Sequence, residues 1–496
     1  MSAQTREYDL VVIGGGPAGV IGATAATAFG KTVALVDCHH ELGGTGVNLG
    51  TVPSKTLRET ALALSGFRAR RLTGLDVFVR REATVGEFLK HEQQVKAGLS
   101  AMLSQRLDAF KADINVGWGS FVDPHTVCVR AAELQGQESQ PADIDDGVLL
   151  RGQRILIATG SKPFRPPVFP FGRPEVYDSD TILELDRLPK TLAVVGAGVI
   201  GSEYACTFAA LGTQVHLIDR HEVLLPFLDT EVSQALVKAM EHGGVNFHWK
   251  VQVQACITQA RDSAPGEAAG VTLMLSPGTP LTADAVLVAA GRTSNSEGLN
   301  LAAAGVKVGE RGLIPVDDYF RTSASHIYAA GDVIGFPALA STSMEQARRA
   351  VLHALDLGIH SEFPRVLPTG IYTIPEVGMV GETEQSLREQ GMDYVVGRAP
   401  YEASARGRII GDTEGFLKLL FRRVDMKLLG VHVMGELATE IVHIGMMAML
   451  GGHTVDAFEN VCFNIPTLGV LYKVAAFDAA IHASKEAVVH SLEVSG

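Results

Sequence analysis

Tyr8-Asp9-Leu10-Val11-Val12-Ile13 is a short apolar run that stops at Gly14-Gly15-Gly16-Pro17-Ala18-Gly19; an alanine-rich helical stretch and a second apolar run, Thr32 to Val36, follow. Apolar runs this short, bounded by glycine, read as buried strands, so the order is strand, turn, helix, strand. The order recurs from Leu192 to Ile218, where Ala193-Val194-Val195 enters Gly196-Ala197-Gly198-Val199-Ile200-Gly201 and Gln214 to Ile218 is the next strand. After Lys55 the pattern is helical to about Phe67, and again from about Thr84 to Lys111. Polar, turn-rich residues 132–153 and 261–269 predict surface hairpin loops. Beyond Pro364, strands at Phe416–Phe421 and Leu428–Val433 lead to helices at about Thr439–Leu450 and Leu468–Ala480, a mixed pattern that predicts a separate C-terminal domain.

A lone GxGxxG carries little information; its context carries more. The glycines allow a tight turn, close backbone approach to a pyrophosphate and close helix packing, while the helix N-terminus stabilises negative charge. Both copies follow a strand, and 23 positions separate Gly14 from Asp37 and Gly196 from Asp219. An acid so placed can accept hydrogen bonds from a ribose. Gly14, Gly16 and Gly19 thus predict one dinucleotide site, and Gly196, Gly198 and Gly201 a second. Two further strand ends, Ile155 to Thr159-Gly160 and Ile327 to Gly331-Asp332 before a helix starting near Ala340, are unremarkable alone.

Composition narrows the field. A chain of 496 residues is too long for one core and calls for three or four domains. The net charge of −13, without a long Lys/Arg block, argues against a nucleic-acid partner, and Arg68-Ala69-Arg70-Arg71 reads as a solvated face. The most apolar stretches, Ile441–Leu450 and Leu192–Ile200, fall short of the roughly 20 residues that cross a bilayer, so no membrane is expected. A polar start running straight into a strand leaves no room for a signal peptide and predicts a cytoplasmic protein. Cys38, Cys128, Cys206, Cys256 and Cys462 have no metal-ligand spacing; each reads as a small buried hydrophobe, and no metal is expected.

With Gly43-Gly44-Thr45 and Pro53-Ser54-Lys55, these motifs resemble the two-dinucleotide flavoprotein disulfide reductases almost end to end. The resemblance implies an α/β fold with two Rossmann-like domains, for FAD (1–165 and 291–363) and NAD(P) (166–290), and a C-terminal α+β dimerisation domain (364–496), hence a homodimer. It implies that Gly14, Gly16, Gly19, Asp37, Gly44, Thr45, Gly50, Thr51, Lys55, Thr159, Gly160, Gly331, Asp332 and Ala340 bind FAD. By the same resemblance, Asp332 meets the ribityl or phosphate region and the helix at Ala340 faces the pyrimidine edge of the ring. Gly196, Gly198, Gly201, Asp219, Arg220 and Gly291 complete the cofactor-binding positions. Asp219 favours a free 2′-hydroxyl whereas Arg220 could meet a 2′-phosphate, so dual use of NADH and NADPH is expected.

The family's redox-active cysteine pair is missing: Gly46 and Thr51 stand at its positions. Its C-terminal His and Glu are replaced by Ile465 and Val470. Dithiol chemistry in its usual form is therefore excluded. What remains resembles the soluble NAD(P)+ transhydrogenase branch, on Gly50 to Arg58, Tyr177 to Asp180, Gly331 to Gly335, Pro368 to Glu376, Glu440 to Gly445 and Phe463-Asn464; Gly46 and Val470 depart from it too. That branch implies hydride transfer between NADPH and NAD+ through FAD. A NAD(P)H:quinone reductase or diaphorase would share every flavin motif, and a catalytically idle flavoprotein is a third reading. From spacing alone Lys55, opening a helix, and Glu203 read as solvated. The resemblance instead makes them the catalytic pair beside flavin N5. Glu440 and His443 read as packing in the C-terminal domain.

Overall fold

The computed structural model describes residues 5–74, 84–131, 147–259, 270–359 and 363–494. The chain forms two compact units, one from Met1–Thr56, Leu89–Phe164 and Gly291–Phe363, the other from Leu57–Phe88, Arg165–Ala290 and Pro364–Gly496.

In the first unit Asp113–Val116, Val33–Asp37, Thr5–Ile13 and Val148–Ile157 lie side by side in parallel, and Ile327–Ala329 adds to the last of these. Thr126–Arg130 and Trp118–Asp123 complete the sheet in antiparallel fashion. Leu10 and Val12 face one apolar cluster while Val11 and Ile13 face another, so both faces are covered and the strand reads as an unbroken apolar run. Register positions the strand ends. Ile13 is level with both Val36 and Ile157, and Ile157 with Ala329. The segments after these strands, Gly14–Gly16, Asp37, Thr159 and Gly331–Asp332, therefore emerge at one edge, where open α/β sheets bind ligands.

The second unit has a five-stranded parallel sheet in the order Val245–Trp249, Gln214–Asp219, Thr191–Val195, Ala285–Val288, Val176–Asp178. A five-stranded antiparallel sheet runs Thr369–Ile371, Val377–Gly381, Leu428–Met434, Phe416–Arg422, Tyr394–Pro400. The helix Leu471–Val494 crosses its last strand so closely that Gly397 has no room for a side chain beside Ala475.

Some expectations need correction. Residues 148–153 are no loop: Val148–Ile157 is one strand, because Leu149 to Ile157 pair in register with Thr5 to Ile13. Residues 132–146 and 260–269 lie outside the described residues. The helix expected from Lys55 starts earlier, at Thr51, and Lys55 sits in its second turn. Among the described residues no helix is long and apolar enough to cross a membrane.

Candidate functional site

The first glycine turn is held from three sides: Gly14 N–H donates to Val36 O at 2.7 Å, Ala158 N–H to Ile13 O at 2.7 Å, and Gly15 N–H to Asp37 Oδ2 at 2.5 Å. Gly14, at φ +109°, presses on Ala158, and Gly19 packs on Gly14 with no space for a Cβ. The helix Pro17–Ala28 then starts with no side-chain cap, leaving its first amides for an anion. A second glycine turn closes in, since Gly43 N–H donates to Gly15 O at 2.8 Å and a Cβ on Gly44 would lie 2.8 Å from Gly16 Cα. Asp37 also accepts the His39 amide at 2.8 Å, and its carboxylate, with the Cys38 thiol, pushes the His39 imidazole up to about 10.

Around this cradle, Thr159 Oγ1 is sealed from solvent with no hydrogen-bond partner among the described residues, and its carbonyl accepts Asn295 Nδ2 at 3.0 Å. A buried orphan hydroxyl calls for a ligand. Asp332 Oδ2 accepts Ser161 Oγ at 2.6 Å, and Arg292 Nε donates to the same hydroxyl at 2.7 Å. Gly331 N–H donates to Gln346 Oε1 at 2.8 Å, and the helix Ala340–Ala354 begins without a side-chain cap. Ser161, Arg292, Asn295 and Gln346 escaped the sequence reading, because nothing local announces that Arg292–Ser294 pairs with Ser161–Pro163.

The segment at the family's disulfide position is Thr45–Leu49, a turn of π-helix, with Gly50 N–H donating to Thr45 O at 2.7 Å before the helix Thr51–Leu64. Gly46 is buried against the Pro17 ring, where any Cβ would collide; Thr51 is exposed. All five cysteines are free. Cys462 is exposed and Cys38 half-buried, so only part of the cysteine set is interior; burial pushes the Cys206 thiol up to about 12 and the Cys256 thiol to about 11.

The second unit repeats the first site's geometry. Gly196 N–H donates to Ile218 O at 2.9 Å, Ala289 N–H to Val195 O at 2.8 Å, and Ala197 N–H to Asp219 Oδ2 at 2.7 Å. Gly196, at φ +105°, presses on Ala289, and Gly201 packs on Gly196. A Cβ on Gly198 would meet nothing within 4 Å, the clearance a pyrophosphate needs above the uncapped helix Val199–Ala210. Asp219 Oδ1 accepts the amide and Nδ1 of His221, at 2.8 and 3.0 Å. Exposed Arg220 shares a cleft with His221, Glu222, Val223, Pro226 and Lys250, and Lys250 is ion-paired to Glu222. Gly291, at φ +117°, opens Arg292–Ser294, and its carbonyl accepts Phe164 N–H at 2.9 Å.

Lys55 is half-buried, with Nζ 3.2 Å from Ser54 Oγ, and belongs to the first unit. Glu203, 4% exposed, belongs to the second, where its Oε1 accepts Tyr372 N–H at 3.0 Å. Glu203 is thus not solvated. Glu440 and His443 are both exposed rather than packed, because they lie on the outer face of the helix Ala438–Leu450. The Arg68–Arg71 cluster is not merely solvated either: Arg68 pairs with Glu59 and Glu436, and Arg71 reaches buried Asp412 at 3.5 Å.

Residues 8–354 match the pyridine nucleotide-disulphide oxidoreductase family, and residues 367–475 its dimerisation domain. The chain belongs to the pyridine nucleotide-disulphide oxidoreductase family. It is an FAD-dependent oxidoreductase whose substrates are pyridine nucleotides, with the α/β fold of the flavoprotein disulfide reductases. It is 43% identical over 473 residues, 95% of this chain and 97% of the relative, to a soluble pyridine nucleotide transhydrogenase of Mycobacterium bovis. A second such relative, from Pseudomonas fluorescens, is 40% identical over 95% of this chain and 98% of its own. Among solved structures, LpdA from Mycobacterium tuberculosis superposes with TM-score 0.83 at 26% identity, over 94% of this chain and 99% of its own. The HOCl-induced flavoprotein disulfide reductase RclA from Escherichia coli does so with TM-score 0.82 at 26% identity, over 95% and 99%.

Proposed function

We propose that this family member is a cytoplasmic transhydrogenase that moves hydride between NADPH and NAD+ and uses no redox-active disulfide. Carrying the reading is the presence in one chain of two dinucleotide cradles and of a thiol-free segment, where Gly46 packs on Pro17 and leaves no space for a cysteine side chain. The names of its relatives support the same activity.

The first cradle fits FAD. The open helix terminus at Pro17 would take the pyrophosphate, the orphan Thr159 hydroxyl would find its partner there, and the helix terminus at Ala340 would stabilise negative charge. FAD, when bound, supplies a two-electron carrier that accepts hydride from one nicotinamide and returns it to another. Lys55 then supplies a fixed positive charge and Glu203 an orienting carboxylate. Neither has to move a proton. Gly196, Gly198 and Gly201 seat the pyrophosphate of either nicotinamide nucleotide, Asp219 meets its ribose, and Arg220 meets the 2′-phosphate when there is one. We assign FAD to residues 1–165 and 291–363, NAD(P) to 166–290, and homodimer formation to 364–496. Exposed Ile444, Met447, Leu450, Ile465, Phe477 and Ile481 in that last segment support the dimer.

Anaerobic mixing with NADPH, followed by NAD+ or a quinone, tests the reading. NADPH should bleach the flavin and NAD+ restore its colour. Restoration by quinone alone would indicate a quinone reductase, and no bleaching at all an idle flavoprotein.

A further inference from the structure

Two stretches contribute no side chain to either cradle, Thr56-Leu57-Arg58 and the segment from Thr369 to Glu376. In the structure they meet. The Arg58 guanidinium, 3% exposed, donates through Nε to Thr373 O at 3.0 Å and lies 3.2 Å from Glu376 Oε1. Its NH1 also donates to Glu59 Oε1 at 2.6 Å. Glu376, 5% exposed, accepts Thr439 Oγ1 on its other oxygen at 2.9 Å, and its carbonyl accepts Gly435 N–H at 2.9 Å. At the near end of the segment, Tyr372 N–H donates to Glu203 Oε1 at 3.0 Å.

Tyr372–Glu376 is thus held at one end by Glu203 and at the other by Arg58, whose helix carries Lys55 one turn earlier. Burying a guanidinium and a carboxylate is costly, and an apolar pair of equal volume holds a core as well or better. What arginine adds is a rigid fork of directed donors. Here one donor sets a main-chain carbonyl and another a carboxylate, an arrangement suited to geometry rather than cohesion. Burial pushes the Glu376 carboxyl up against the opposing pull of Arg58. Buried at 3% exposure and engaged by Thr373, Glu59 and Glu376, Arg58 is committed to protein acceptors through Nε and NH1.

We propose that Arg58 is a positioning residue for hydride transfer: with Glu376 it fixes the Tyr372–Glu376 segment, which in turn sets the Glu203 carboxylate. The proposal rests on the roles given to Lys55 and Glu203 above. Misplacement by about 1 Å at such a site costs on the order of 100-fold in rate.

The test compares the holoenzyme with Arg58→Met, the double variant Arg58→Met/Glu376→Leu, and Lys55→Met. The double variant removes both charges at similar volume, so it should keep the native melting temperature, FAD content and KM for NADPH even if the single variant fails to fold. Its flavin should nevertheless be reduced by NADPH about 10- to 100-fold more slowly. In the apoprotein, the Tyr372 amide of the double variant should exchange with deuterium about tenfold faster or more, a change that loss of cohesion elsewhere would not produce. Native reduction and exchange rates in the double variant, with Lys55→Met slow, would overturn the role of Arg58 alone. A native rate in Lys55→Met would overturn the role of Lys55 and the proposal with it.

Discussion

Lys418 Nζ and Asp229 Oδ1 meet at 2.7 Å with both side chains sealed from solvent, 0% and 1% exposed. Glu231 and Glu384 complete the ammonium's coordination at 2.8 and 2.5 Å, and Asp229 also caps the helix Thr230–His242 by accepting the Glu231 amide. One cation therefore ties the start of the helix Thr230–His242 to the strand Phe416–Arg422.

Lys418→Met should destabilise the protein by about 3–5 kcal/mol, because it strands the buried Asp229 carboxylate without its ion-pair partner. Burial pushes Asp229, Glu231 and Glu384 up, but hydrogen bonds from Lys418, and from Arg398 to Glu231, outweigh it and the net shift is downward. Carboxyls depressed on folding add stability that is fully present above their unfolded value of about 4 and is lost as pH falls through the folded values. Chemical denaturation from pH 6 down to pH 3 should show that loss in the native protein and a smaller one in the variant. Equal slopes would remove the cluster from the account.

Gly44→Ala should weaken FAD binding by about tenfold or more, since φ is +51° and the new Cβ would sit 2.8 Å from the Gly16 backbone. Gly160→Ala is the comparison: φ is +71° but its Cβ would meet nothing within 4 Å, so the cost is limited to about 1–2 kcal/mol of backbone strain. Equilibrium titration of the two apoproteins with FAD measures the difference. Equal affinities would contradict the close approach of the two glycine turns.

Much of this was legible in the chain. The 23-residue spacing of Gly14 to Asp37 and Gly196 to Asp219 corresponds to one hydrogen bond made twice, from Gly15 and from Ala197, because the spacing is local to a βαβ unit. The Thr159 and Gly331 strand ends fall at the same edge because register aligns them. What the sequence hid is long-range. Arg58 closes the stretch Gly50 to Arg58 without a role of its own in the sequence, and only folding brings Thr373 and Glu376 to it. Glu203 looked solvated because its helix is apolar on nearly every face, with Gly201 to Phe208 buried without interruption, so no amphipathic pattern marks an inside.

Arg220→Ala should raise the dissociation constant for NADPH about tenfold while changing that for NADH little, the worth of one charge-assisted hydrogen bond. Asp219 is already engaged by Ala197 and His221, so charge beside it must come from Arg220 or from Lys250, itself paired with Glu222. Titration of flavin-replete protein with both nucleotides decides. Equal losses would assign the phosphate to another residue.

If hydride passes between nicotinamides without any thiol, a cysteine-free holoenzyme keeps its activity. Cys38, Cys128, Cys206, Cys256 and Cys462 are replaced by serine or alanine according to burial, FAD content is verified, and the NADPH-to-NAD+ rate is measured anaerobically. A rate within about threefold of native, less than 1 kcal/mol in barrier, is the predicted result. A loss of about 100-fold or more with FAD fully bound would contradict it.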